Sequence, residues 1–149
     1  MEELVQNIVK GAEILKDKYT DQKGLPVNYA CIFCQSEEEF QYFKTEAYKI
    51  GKVVQERSNS LLFRISPIKT TAGNLYLLRI RQPDKSRPER GDADFTVPDY
   101  NKFKKMYLKE PGFLRIPRDK AEMIELHKKG ENVRVYFSSP LLIKKLQSL

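Results

Sequence analysis

The chain has 149 residues, of which 40% are apolar, 32% charged and 11% aromatic, with no tryptophan. That length suits one domain, and the apolar content is too high for a disordered chain even at net charge +7. No run approaches the roughly 18 apolar residues of a membrane helix, so no spanning segment or membrane partner is expected, and the first residues lack the pattern of a signal peptide. Two cysteines make no disulfide scaffold, which points to a reduced, cytoplasmic setting.

Charge is unevenly spread. Residues 1–60 hold 8 Lys/Arg against 10 Asp/Glu, whereas residues 61–149 hold 19 against 10. A basic excess confined to one part of a domain is the footprint of a surface that meets an anion. Ordinary solubility explains a net charge of this size equally well.

In chain order, Leu4, Val5, Ile8, Val9, Ala12 and Leu15 fall on one side of a helical wheel and predict an amphipathic helix over residues 2–18. Residues 25–34 read as a buried strand. Ser36 and Glu39 form a capping box for a helix that presents Phe40, Phe43, Ala47 and Ile50 on one stripe, with Gly51 expected as its C′ residue. Strands follow at 52–56, 61–66 and 75–81, the first two joined by a turn at Ser58-Asn59. Residues 67–74 are expected to be a flexible connector, and 82–92 a long polar loop. A helix from Pro98-Asp99 carries Tyr100, Phe103, Met106 and Tyr107. A short strand at 113–116, a helix at 119–129 ended by Gly130, a strand at 133–138 and a last helix at 140–146 complete the pattern. No internal repeat is visible.

This order predicts a single α+β domain covering residues 1–149, with one mixed, mainly antiparallel sheet and helices packed mainly on one face. A ferredoxin-like core is compatible with it but not required. Oligomeric state is not indicated.

Cys31 and Cys34 have the spacing of a redox or zinc motif. On a strand, positions three apart point to opposite faces, so packed, inert thiols are expected. His127, the single histidine, is expected to face inward on the 119–129 helix. No nucleophile elbow, phosphate loop or dinucleotide glycine pattern accompanies it.

The segment 84–94 has the most unusual local composition. If it is extended, Asp92 and Asp94 face one side and, with Glu89, could hold a Mg²⁺ ion through oxygen ligands. Arg87 and Arg90 could then grip a phosphate. The bland alternative is a solvated loop whose charges neutralise one another.

The strands give the more coherent signal. Arg64, Arg79, Arg81, Arg134 and Tyr136 occupy the parity opposite the main apolar row of their strands. Aligned, they would make a basic face, extended by Lys102, Lys105 and Lys109. Arginines grip phosphates and tyrosine stacks on bases. The leading expectation is therefore a cofactor-free binding domain for a phosphate-bearing partner, RNA or single-stranded nucleic acid. The alternatives are a metal-dependent enzyme acting on a phosphorylated substrate through residues 84–94, and an interaction module for an acidic protein.

Overall fold

A computed structural model describes residues 1–118 and 121–149, apart from the side chain of Leu142. The elements are α1 (Glu2–Tyr19), β1 (Val27–Phe33), α2 (Glu37–Ile50), β2 (Gly51–Arg57), β3 (Ser60–Thr70), β4 (Gly73–Arg81), β5 (Gly91–Thr96), α3 (Tyr100–Tyr107), β6 (Phe113–Arg118), β7 (Ala121–Leu126), β8 (Val133–Ser138) and α4 (Pro140–Gln147). The strands form one eight-stranded sheet in the order β2-β3-β4-β1-β5-β8-β7-β6. β1 runs parallel to β4, and β5 to β8; every other neighbouring pair is antiparallel. The expected mixed, mainly antiparallel α+β sheet is therefore present, without a ferredoxin-like order.

The architecture repeats even though the sequence does not. β1-α2-β2-β3-β4 and β5-α3-β6-β7-β8 have the same strand–helix–three-strand order. In the sheet, the outward sequence β1, β4, β3, β2 mirrors β5, β8, β7, β6 across the antiparallel β1–β5 seam. The two halves are thus related by a pseudo-two-fold axis at that seam.

One face of the sheet carries the core. Val5, Ile8, Val9, Ala12 and Leu15 of α1 and Phe40, Phe43 and Ala47 of α2 pack onto Ala30, Ile32, Phe63, Leu78, Ile80, Ala93 and Val135. Phe103 of α3 tilts against Phe137 at 4.4 Å between ring centres. Ser36 caps α2 by accepting from the Glu39 amide, while the Glu39 carboxylate accepts from the amide of Gln35. Among the described residues, no helix is long and apolar enough to cross a membrane.

Three local expectations are corrected. Gly51 begins β2 with φ −171°, which is extended backbone, and does not form a left-handed cap. Its smallness is needed because a Cβ there would lie 2.1 Å from the Arg64 carbonyl oxygen. Residues 67–74 are no loose connector: β3 bulges between Arg64 and Ile68, continues to Thr70 and turns tightly into β4 at Gly73, φ +98°. The expected helix at 119–129 is strand β7 over Ala121–Leu126, with Asp119 and Lys120 outside the described residues.

Candidate functional site

Successive side chains on a strand alternate faces, and directly paired residues share one. Cys31 pairs with Arg79 on one side and Asp92 on the other. Asp92 pairs with Arg134, Asp94 with Tyr136, Arg79 with Leu62, and Tyr136 with Glu125. All these side chains therefore rise from the face opposite the core, and the arginine row read from parity is on one side as expected.

That face is not flat. Arg57 ends β2 and Arg118 ends β6, strands at opposite edges of the sheet, yet both line one hollow of about 430 Å³ with Tyr29, Cys31, Arg79, Arg81, Arg87, Asp92 and Tyr136. The sheet curls around this space. Lys145 and Leu146 of α4, with Leu149 after it, close part of the mouth. Arg64 ties that segment down by donating to the carbonyl oxygens of Gln147 (2.7 Å) and Leu149 (3.2 Å).

Within the hollow, Arg79 is fixed by neutral groups: it donates to Ser60 Oγ at 3.0 Å and Gln55 Oε1 at 2.8 Å. Its charge therefore stays uncompensated by those partners. Arg81 and Arg87 reach Asp84 at 3.5 and 3.9 Å, long contacts that neutralise little. Arg87 also donates to the Tyr136 hydroxyl at 3.3 Å, and Tyr136 donates to Glu125 at 2.6 Å. Asp92 Oδ1 and Arg81 Nε are buried and find no hydrogen-bond partner among the described residues. Burial pushes the Asp92 carboxyl up to about 7, against the opposing pull of Arg87, Arg79 and Arg81. A carboxyl that titrates near neutrality in an arginine-lined space can carry a proton to or from a bound anion.

The other expected site residues are placed elsewhere or otherwise occupied. Arg134 is buried against Glu89, donating to both of its oxygens, and also contacts Glu125 at 3.5 Å; it holds the 82–90 loop to β8. Arg90 bonds the Glu39 carboxylate at 2.6 Å and the Phe33 carbonyl, joining that loop to α2. Lys102 and Lys105 are exposed on α3, whose Phe103 packs on the core face, so they cannot extend the arginine row. His127 follows β7 and is exposed, with Nε2 3.5 Å from Glu89, rather than packed inward. Cys31 and Cys34 are free, buried and on opposite faces, and burial pushes the Cys34 thiol up to about 12.

The carboxylate triad does not assemble as a metal site. Asp92 and Asp94 share a face, but Asp94 accepts from Ser138 and Asn28, and Glu89 is taken by Arg134. Burial pushes Asp94 up to about 8, which opposes the ionised form a cation needs. No group of three His, Cys, Asp or Glu side chains suited to a metal gathers among the described residues. The residues therefore do not fit the Mg²⁺ site that the sequence offered only under the metal-dependent alternative.

Parity did not single out Arg57, Arg118, Tyr29 or Gln55. The two arginines carried no signal, because the strands read from the sequence ended at residues 56 and 116, short of the observed ends at Arg57 and Arg118.

No family model and no curated protein matches the sequence. Among solved structures, a structural-genomics target named Protein EC4020 is similar over 97% of this chain and 88% of its own, with TM-score 0.72 and 11% identity. A glyoxalase/bleomycin resistance protein/dioxygenase superfamily member from Vibrio splendidus 12B01 is similar over 77% of this chain and 98% of its own, with TM-score 0.51 and 10% identity. At such identities the likeness is one of fold. The nucleic-acid expectation is nevertheless overturned: the fold is like that of the Vibrio splendidus superfamily member, and the arginines line a recessed hollow partly covered by α4 instead of an open platform.

Proposed function

We propose that the chain is an enzyme that binds a small organic anion in the arginine-lined hollow and moves a proton on it with Asp92. The observation that carries this reading is the buried Asp92 oxygen without a protein partner, set among Arg79, Arg81 and Arg87. A buried polar atom left unpaired calls for a ligand or water to complete it. The superfamily of the Vibrio splendidus neighbour is named for two enzyme activities, glyoxalase and dioxygenase, alongside a resistance protein. A shared fold hosts several functions, so the site has to decide between them.

In the proposed reaction, ionised Asp92 takes a proton from a carbon next to the substrate's carbonyl group. The bonding pair moves onto the carbonyl oxygen, where Arg79, Arg81 or Arg87 holds the developing charge. Protonated Asp92 then returns the proton to carbon. A base with pKa near the working pH serves both steps. No step passes through a metal. The two buried thiols suit a reducing compartment such as the cytoplasm.

The test is solvent exchange. Small 2-oxo and 2-hydroxy acids incubated with the protein in D₂O should gain deuterium at the carbon next to the carbonyl, followed by proton NMR. Asp92→Asn should slow that exchange by about 100-fold or more. Equal exchange by the variant, or none with any such acid, would contradict the reading.

A further inference from the structure

The hollow has a floor and a rim. Cys31, Arg79 and Asp92 come from the central strands β1, β4 and β5, whereas Arg57 and Arg118 stand on the two edge strands. Along the sheet, β2 lies four strands from β5, a path of about 19 Å at the usual strand spacing. A single charge seated at the floor beside Asp92 leaves the rim pair without a counter-ion. No ion pair joins Arg57, Arg79 or Arg118 to a carboxylate among the described residues. The group is also self-repelling: partial burial of the guanidinium and the charges of Arg79, Arg118 and Arg81 push Arg57 below its usual pKa. Arginines fixed near one another without an acid have an unfavourable arrangement until an anion arrives.

We infer that the substrate is a small organic dianion, a dicarboxylate or a phosphate ester, whose charged group farther from Asp92 is held by Arg57 and Arg118. The inference rests on the proposed anion-binding role of the hollow and specifies what that role recognises. Forked guanidinium donors from two edge strands can meet a carboxylate or phosphate from two sides. The rim thereby sets the distance between the held group and the carbon facing Asp92.

The experiment is isothermal titration at pH 7 and fixed ionic strength with butyrate, glutarate and glycerol 3-phosphate as probes. At least one dianion should bind about tenfold more tightly than butyrate. Whichever of glutarate or glycerol 3-phosphate binds better tells dicarboxylate from phosphate ester. The double variant Arg57→Gln, Arg118→Gln should lose about tenfold for that dianion and less than about twofold for butyrate. Both arginines are exposed, so the variant should fold, and an unchanged urea midpoint verifies it. Equal binding of butyrate and both dianions, or a dianion preference that survives the double variant, overturns this inference while leaving the anion site intact. Absence of binding by all three probes overturns it together with the proposed function.

Discussion

Arg57 and Arg118 stand at the last positions of β2 and β6, the opposite edges of the sheet, and nevertheless line the same hollow. This relationship expresses the pseudo-two-fold arrangement, because β2 and β6 are equivalent strands of the two halves. Duplicating one strand–helix–three-strand unit and curling the sheet brings equivalent strand ends together. The hollow is a product of the whole sheet, and no single segment contains it.

Stability should fall as pH rises from about 4 to 8. Asp92 and Asp94 titrate near 7 and 8 in the folded protein, but near 3.9 in an unfolded chain. Between those values the native state holds protons that the unfolded state has lost, so alkalinity favours unfolding. Each carboxyl contributes a slope of at most roughly 1.4 kcal/mol per pH unit, and the slope vanishes once both states are ionised. Urea midpoints at pH 5 and 8 check this: Asp94→Asn should gain on the parent as pH rises, and a constant difference would count against it.

Gly91→Ala should be severely destabilising. An added Cβ would sit 2.2 Å from the Cys31 carbonyl oxygen and 2.8 Å from Ile8 Cδ1, at the β1–β5 seam under α1. Backbone cannot yield there without parting the two halves, so a loss of more than about 2 kcal/mol is expected. Gly24→Ala is the control: it has open space around it and φ +74°, so only about 1 kcal/mol of backbone strain is at issue. Thermal unfolding of the two variants should rank them in that order.

Arg64→Ala should loosen α4. Two carbonyls of the C-terminal segment lose their donor, and each such bond is worth about 1 kcal/mol. Hydrogen exchange over residues 140–149 should quicken by about tenfold, while exchange in β1 and β5 stays unchanged. Unaltered protection at the C-terminus would mean that other contacts hold the segment.

Most of the fold was legible because one face of most strands is apolar and the other carries arginine or polar groups. β3 and β8 show this well: Phe63, Ile65, Val135 and Phe137 enter the core, and Arg64, Arg134 and Tyr136 take the other side. β7 hid itself because both its faces are buried. Met123 and Glu125 are covered on the hollow side as Ile124 and Leu126 are on the core side, which removes the two-residue period and leaves a helix-like string. Pro67 suggested a break where the strand merely bulges. At the site, parity put Arg79 and Arg81 on one face, as the register does, but could not show that the sheet curls. Curvature decides that these residues enclose a small ligand, and it depends on pairings between strands far apart in sequence.

The proposed proton-carrying role of Asp92 beside a bound anion is read out by carbon-detected NMR of its side-chain carboxyl. The free protein should give a midpoint near 7, moved upward when a bound carboxylate or phosphate brings like charge beside it. A midpoint near 4 that ignores every added anion would contradict the account.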